Sequence, residues 1–435
     1  MANISKSENP CVLLHGPESA CLGTIPVPKL SDYPADHVLL QIAYTGVCGS
    51  DEHFHLHGGI GSDKRKYAQY YVSQPGIGKD SSNGLVMGHE ATATVYQIGP
   101  AVRSLIVGDN VAIEPAIPCR TCIRCAEGMY NLCFDMRFAA SFYEDAEITT
   151  TVTNNNGQAT KVPFIRSTPG TLSEYYVLPE SLCYKLPEHI SLKEGVFIEP
   201  LAVAVHAVRL AGINPMTKSV LVTGAGTIGL ALAAIACSYG ANKLILVDID
   251  DKKLSLAKEW LLGSGHENGQ MSGTAINTAT TVHTINSSHI GNSPAETATT
   301  IKQDENINTG TGADAAIEAT GSPLATRLCI HALRPGGHMV QTGLSKTAAM
   351  DGFPITDLSE KEIHLHGAFR YKSGDFETAR DLLARGVIRN VERLINKVWE
   401  FEEFEEAWKA TRDGNVGGQG VKNLIKCPGL REESA

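Results

Sequence analysis

Hydrophobic and polar positions divide the chain into two textures. Through the first 190 or so residues the apolar stretches are short and bounded by Gly and Pro. Residues 38–43 (VLLQIA) and 91–98 (ATATVYQI) have strand composition with a partial period of two, and 107–113 (VGDNVAI) reads as a turn entering a strand. These predict a compact β-rich domain. From about Pro200 the pattern changes to strand-then-helix units. Residues 219–223 (SVLVT) form a buried strand, followed by a glycine turn at 224–229 (GAGTIG) and an apolar helix to Tyr239. Further strands are predicted at 243–248, 315–320 and 338–342. Alternation of this kind predicts an α/β arrangement, a parallel sheet covered by helices. Beyond Ile363, amphipathic helical patterns occupy 375–384 and 401–411.

Three polar stretches interrupt the pattern: 60–83, rich in Gly, Ser and Lys; 145–168, rich in Thr and Asn; and 263–311, dominated by Thr, Ser, Asn and Gly. Such compositions bury little apolar area to offset ordering entropy, so mobile surface loops are expected at all three.

Composition then narrows the class. With 435 residues, the chain is long enough for two domains, each with its own core. Hydrophobic content of 43% and charged content of 19% are those of an ordinary globular protein. A net charge of −10 offers no basic patch for a phosphate backbone, which argues against a nucleic-acid partner. No apolar run approaches the 18 or so residues a membrane span requires. The start, MANISKSENP, has no apolar signal-peptide core. Eleven cysteines without such a signal favour a reducing compartment, so a cytoplasmic location is expected.

Four of those cysteines carry chemistry. Cys119, Cys122, Cys125 and Cys133 are separated by two, two and seven residues, so one short loop can offer four thiolates to a tetrahedral Zn²⁺. A disulfide would need an oxidising compartment, and redox CxxC motifs usually come as one pair. Four thiolates leave no open position, so this metal would be structural.

The glycine turn has the context a dinucleotide site needs, between a buried strand and a helix. Gly224 permits the tight turn, Gly226 lets a pyrophosphate approach, and Gly229 allows close helix–strand packing. Asp248 ends the next strand, 19 residues past Gly229, where it can bind both ribose hydroxyls of NAD and repel the 2′-phosphate of NADP. The alternative is a helix-capping aspartate beside an ordinary turn. Two further segments, GVCGSDEH (46–53) and GHE (88–90), supply Cys48, His89 and Glu90. A thiolate, an imidazole and a carboxylate can hold a catalytic zinc with a fourth position open. The plainer alternatives are a core cysteine and a hydrogen-bonded histidine. IEPLAVAVH (198–206) adds Glu199, whose plainer role would be to cap the helix that follows.

Taken in order, GVCGSDEH, GHE, the cysteine loop, IEPLAVAVH, the glycine turn with Asp248 and GAFRY (367–371) resemble the zinc-dependent medium-chain dehydrogenases. Within them the chain is most similar to the sorbitol, xylitol and L-arabinitol dehydrogenases. The resemblance implies a GroES-like β-rich catalytic domain (1–199 and 364–435) and a Rossmann doubly wound parallel-sheet domain for NAD (200–363). It implies a catalytic zinc on Cys48, His89 and Glu90, with Glu199 either a direct ligand or bonded to the metal's water. Ser50 and His53 would relay the substrate proton. Arg370 and Tyr371 would lie near cofactor and polyol, and Phe54, counted with the substrate-binding residues, occupies a place often held by tyrosine in the sorbitol enzymes, which removes one hydroxyl near the substrate. Thr227, Ile228, Lys253, Thr342, Gly343, Leu344 and Phe369 would contact the dinucleotide. Thr227 replaces a common proline of the turn, and the stretch from Cys48 to His89 is longer than relatives lead one to expect.

The implied reaction is oxidation of a sugar alcohol to a ketose. Xylitol is favoured over sorbitol and L-arabinitol, in a homo-oligomer (dimer or tetramer) that needs no nucleic acid or membrane. Alternatives are a related enzyme acting on a vicinal diol or an amino alcohol and, from another class, a zinc-ribbon interaction module fused to a nucleotide-sensing domain.

Overall fold

The computed structural model describes residues 7–60, 84–153, 159–263, 280–290, 293–345, 349–415 and 418–430. They fall into two compact units, Met1–Val196 with Lys397–Val416 and Asn423–Ala435, and Phe197–Asn396 with Gly417–Lys422.

The first unit is built around the strand His37–Gly46. Its near-continuous apolar run is explained by its neighbours: it pairs antiparallel with Glu90–Ile98, Tyr175–Pro179 and the end of Lys422–Lys426. The register sets where the strand ends meet, with Gly46 opposite Glu90. Val12, Leu40, Ile42, Ala93, Val111, Leu178 and Ile425 form the core, closed on one side by Phe404 and Trp408 of the helix Phe404–Arg412.

The second unit holds a six-stranded sheet in the order Thr281–Asn286, Lys243–Asp248, Val220–Thr223, Ala313–Glu318, Leu333–Gln341, His364–Gly367. Every pair is parallel. Numbered along the chain within this unit, the order is 3-2-1-4-5-6, the doubly wound arrangement with its switch point beside Val220–Thr223. Gly224 has φ +94°, and a Cβ on Gly229 would stand 1.7 Å from the Gly224 carbonyl oxygen, so neither position tolerates a side chain.

Three expectations need correction. The stretch 145–168 is not a structureless loop: Ser141–Thr153 and Ala159–Thr168 form an antiparallel hairpin. Its threonines are β-branched, and backbone pairing across the ladder does not depend on a large apolar side. The stretch 263–311 holds a parallel strand, Thr281–Asn286, and a helix, Pro294–Gln303, that buries Ala298 and Ile301. Residues 264–279 and 291–292 of that stretch, 154–158 of the second and 61–83 of the first lie outside the described residues.

The third correction is the return to the first unit, expected at 364 and found at Lys397. His364–Gly367 completes the parallel sheet, and the helix Asp375–Ala384 is pinned to the helix Ile198–Leu210. There the buried Asp375 carboxylate meets His206 Nδ1 at 2.9 Å and Arg209 at 2.5 Å. The first crossing falls at 196/197, three residues before the expected 199/200.

Candidate active site

Strand pairing assembles the metal donors of the first unit. Because Gly46 lies opposite Glu90, Val47-Cys48 leaves one strand just where His89-Glu90 enters its neighbour. One donor atom each from Cys48, His89 and Glu90 falls within 4.8 Å of the others. His89 and Glu90 are buried and Cys48 is half-buried. Donors from residues 41 and 42 apart thus converge as zinc requires, with donor types suited to a catalytic ion.

Cys48 also caps the helix Gly49–His57, and this geometry brings in a residue that the sequence reading passed over. Asp51, buried in the first turn, accepts the Cys48 backbone N–H at 2.9 Å on one oxygen. Its other oxygen stands 3.4 Å from His89 Nδ1. Burial works against a charged His89, but the Asp51 carboxylate, followed by contact with Cys48, outweighs it and raises the imidazole's pKa well above its usual value. With Nδ1 turned to Asp51, Nε2 is left for the ligand set; Ser50 Oγ lies 3.4 Å from it. The signal for Asp51 was the C-x-x-D spacing of a capped helix.

His53, half-buried, follows Ser50 by three residues on the same helix, which places both on one face. Phe54 is buried in the core cluster of this unit. The helix is held by Arg412, whose guanidinium meets Glu52 at 2.7 Å, and by the His55 ring, 5.2 Å from that of Trp408.

The cysteine loop is equally well gathered. The four sulfurs of Cys119, Cys122, Cys125 and Cys133 lie within 4.8 Å of one another, with Cys119–Cys125 at 3.9 Å and Cys122–Cys125 at 3.6 Å. Four thiolates at about 2.3 Å from a tetrahedral zinc stand about 3.8 Å apart, so the loop matches the ion it was expected to hold. No cysteine of the chain is in a disulfide. The Thr121 hydroxyl, then the backbone N–H groups of Thr121 and Cys122, hold the Cys119 thiol down at about 6.

In the second unit the glycine turn and Asp248 come together. Ala225 donates its N–H to Asp248 Oδ2 at 2.5 Å, and Ile249 and Asp250 donate to Oδ1. Capping of the next helix falls to Asp250, which accepts from Lys252 and Lys253, so Asp248 is not the cap. A Cβ on Gly226 would meet nothing within 4 Å, and Thr227 opens the helix Thr227–Ser238 with its hydroxyl on the Val421 carbonyl. Ile228 is half-buried behind it. Thr342 and Gly343 follow the strand Leu333–Gln341, both donating to the Glu318 carbonyl; Leu344 is half exposed.

Glu199 belongs to this second unit, buried in the first turn of Ile198–Leu210. Phe369 is exposed, with the Arg370 guanidinium 4.6 Å over its ring, and Arg370 has φ +55°, a conformation that costs a side-chain-bearing residue energy. Tyr371, expected among the polyol contacts, is wholly buried edge-on to Phe376.

Comparison with known proteins identifies the family. Residues 34–188 match the model of the alcohol dehydrogenase GroES-like domain, and residues 227–385 match that of the zinc-binding dehydrogenases. A probable D-xylulose reductase A of Emericella nidulans is 40% identical over 93% of this chain and 92% of its own. The D-xylulose reductase A of Aspergillus niger is 38% identical over 97% of both. Among solved structures, L-idonate 5-dehydrogenase of Escherichia coli superposes with a TM-score of 0.70 at 26% identity, over 96% of this chain and 98% of that one. The matched models do not favour the zinc-ribbon module reading. The chain belongs to the zinc-dependent medium-chain dehydrogenases, in their polyol-dehydrogenase group.

Proposed function

We propose that the protein oxidises xylitol to D-xylulose with NAD, and reduces D-xylulose in the reverse direction. The observation that carries the choice of polyol is the likeness to D-xylulose reductases at 38–40% identity over nearly the whole chain. A vicinal diol or amino alcohol has no comparable support.

When bound, zinc supplies a Lewis acid for the alcohol and NAD an acceptor for its hydride. The rest of the mechanism is assigned to the chain's own residues. Cys48, His89 and Glu90 would hold the metal, and three protein donors are the number a catalytic zinc open to substrate takes. Asp51 fixes the His89 ring. Ser50 accepts the substrate's hydroxyl proton at Oγ, and His53, one turn along the helix, passes it to solvent. The N-terminus of the helix Thr227–Ser238 receives the pyrophosphate, and Asp248 receives the ribose hydroxyls while excluding a 2′-phosphate. Lys253, Thr342, Gly343, Leu344 and Phe369 line the dinucleotide. The roles of Glu199, Arg370 and Tyr371 toward metal, cofactor and polyol rest on the family resemblance alone, as does Phe54 as a determinant of substrate preference. The cysteine loop would hold a structural zinc. A cytoplasmic homo-oligomer completes the proposal; among the described residues no helix is long and apolar enough to cross a membrane.

The test is kcat/KM with NAD for xylitol, sorbitol, L-arabinitol, 2,3-butanediol and threonine, with zinc measured on the same sample. Xylitol should lead, with NADP at least about tenfold poorer than NAD, a discrimination of about 1.4 kcal/mol. A two-zinc protein that turns over the diol or the amino alcohol faster than any polyol overturns the assignment.

A further inference from the structure

Three loops meet at the carboxyl edge of the second unit's sheet, the side on which a doubly wound fold takes its nucleotide. Glu318 ends the strand Ala313–Glu318. It is the register partner of Thr223, which leads into the glycine turn, and of Gln341, which leads into Thr342, Gly343 and Leu344. Its side chain is wholly buried, and among the described residues the carboxylate meets hydrogen-bond donors alone. One oxygen accepts the Thr320 N–H at 2.6 Å and the Thr320 hydroxyl. The other accepts the Gly321 N–H at 3.0 Å and the Gln341 side-chain amide at 2.5 Å. That amide also reaches the Gly343 carbonyl at 2.9 Å, and the Glu318 main-chain carbonyl takes the N–H groups of Thr342 and Gly343.

The loops also touch one another. A Cβ on Gly343 would stand 2.1 Å from the Gly321 nitrogen, and one on Gly321 would stand 2.1 Å from the Leu344 carbonyl oxygen. A Cβ on Gly224 would stand 2.8 Å from the Thr320 methyl, so the glycine turn closes against the same assembly. Burying a carboxylate is costly, and a strand end that needed only packing would be served by an apolar side chain. Every donor that Glu318 meets lies at or beyond a strand end. What the carboxylate organises is therefore the rim above the sheet rather than its core.

We propose that Glu318 is a positioning residue for the dinucleotide. Its carboxylate ties residues 320–321 to Gln341 and so to 342–344, and holds both loops against the glycine turn before any cofactor arrives. NAD then meets a surface already formed, and the ordering of those loops is not charged against its affinity. The inference rests on the reading that Thr342, Gly343 and Leu344 line the dinucleotide; it does not depend on which polyol is oxidised. Glu318→Gln keeps the shape of the side chain. Because both oxygens face donors, either orientation of the new amide sets N–H₂ against N–H, and the tie is broken.

The test is fluorescence titration of NADH on full-length, zinc-loaded protein, with amide exchange followed in the same samples. Glu318→Gln should raise the NADH dissociation constant at least about tenfold. In the cofactor-free variant, exchange should quicken in peptides covering 320–322 and 341–345. The control is Asp314→Asn, at the opposite end of the same strand, where the side chain pairs with Arg334. It should leave NADH affinity within about twofold, because distant sites act independently. Unchanged affinity in Glu318→Gln overturns the proposal, and so does an equal loss in Asp314→Asn, which would mark a general softening of the strand. If Glu318→Gln does not fold, Thr320→Val at the exposed position removes one donor and must still weaken NADH about threefold; an unaltered affinity there overturns it equally. In the parent, NADH should slow exchange at 342–344. If it does not, the reading of those residues as cofactor contacts fails and takes this inference with it, whatever Glu318→Gln does to the loops.

Discussion

Asp51 shows how one side chain can organise a metal site without touching the metal. One oxygen holds the backbone of Cys48 and the other faces the His89 ring, so thiolate and imidazole are positioned by the same buried carboxylate. Asp51→Asn keeps the shape but removes the charge that favours a donor proton on Nδ1. Zinc affinity, measured by competition with a chelator, should fall about 10- to 100-fold, with NAD binding unaffected. An undiminished affinity would mean the contact is incidental. Cys48→Ser is the sharper case: turnover should be lost while NAD still binds, and substantial residual dehydrogenase activity would remove Cys48 from the centre. At this scale the sequence was readable where residue type and spacing speak together, as at Cys48, His89 and the four loop cysteines. It was silent on how deeply Phe54 and Tyr371 lie, because an aromatic ring packs in an interior as readily as it lines a pocket, and nothing in its own neighbourhood tells which.

Among the elements, the strands were legible because burial dictates their composition. The apolar run at 38–43 became His37–Gly46, and 91–98 became Glu90–Ile98. The helices at Thr227–Ser238 and Asp375–Ala384 lie where glycine turn and amphipathic pattern put them. The hairpin of Ser141–Thr153 and Ala159–Thr168 was illegible for a physical reason: its two strands are joined by backbone pairing, which leaves little trace in hydrophobicity.

A second element-level device is Asp314 at the start of the strand Ala313–Glu318. It accepts the N–H groups of Lys218 and Ser219, which lead into the neighbouring strand, and pairs with Arg334. Burial opposes its ionisation, but Arg334 and those two N–H groups outweigh it and hold its pKa below the usual 3.8. A carboxyl depressed in this way adds stability in full above its unfolded pKa and loses it as pH falls through the folded one. Asp314→Asn should therefore cost about 1–2 kcal/mol at neutral pH. Urea unfolding followed against pH should show the gap between the two proteins narrowing as pH falls below the reference carboxyl value of about 3.9. A gap that persists into acid would assign the loss to packing instead.

For the whole molecule, division of the chain into two units was legible from the change of texture near Pro200, and the later crossing was not. Residues 364–396 carry family motifs and an amphipathic helix that would suit either unit. Only the sheet edge and the Asp375 cluster assign them to the second. The two zinc groups divide labour at the same scale. Cys122→Ser should release one zinc per chain and lower the unfolding temperature while the catalytic ion stays, as read by metal analysis alongside calorimetry. Loss of both ions from a folded protein would contradict that division.

The pairing of Gly46 with Glu90 has a consequence for how such enzymes can diversify. Because the ladder clamps the two ends of the intervening segment, the donors are indifferent to how much chain runs between them. Doubling such a connection costs only about 0.6 kcal/mol of closure entropy. Variation in the length of this connection can therefore proceed with the chemistry sheltered, and trimming residues from 61–83 should leave two zincs per chain in place, as metal analysis of the shortened protein would show.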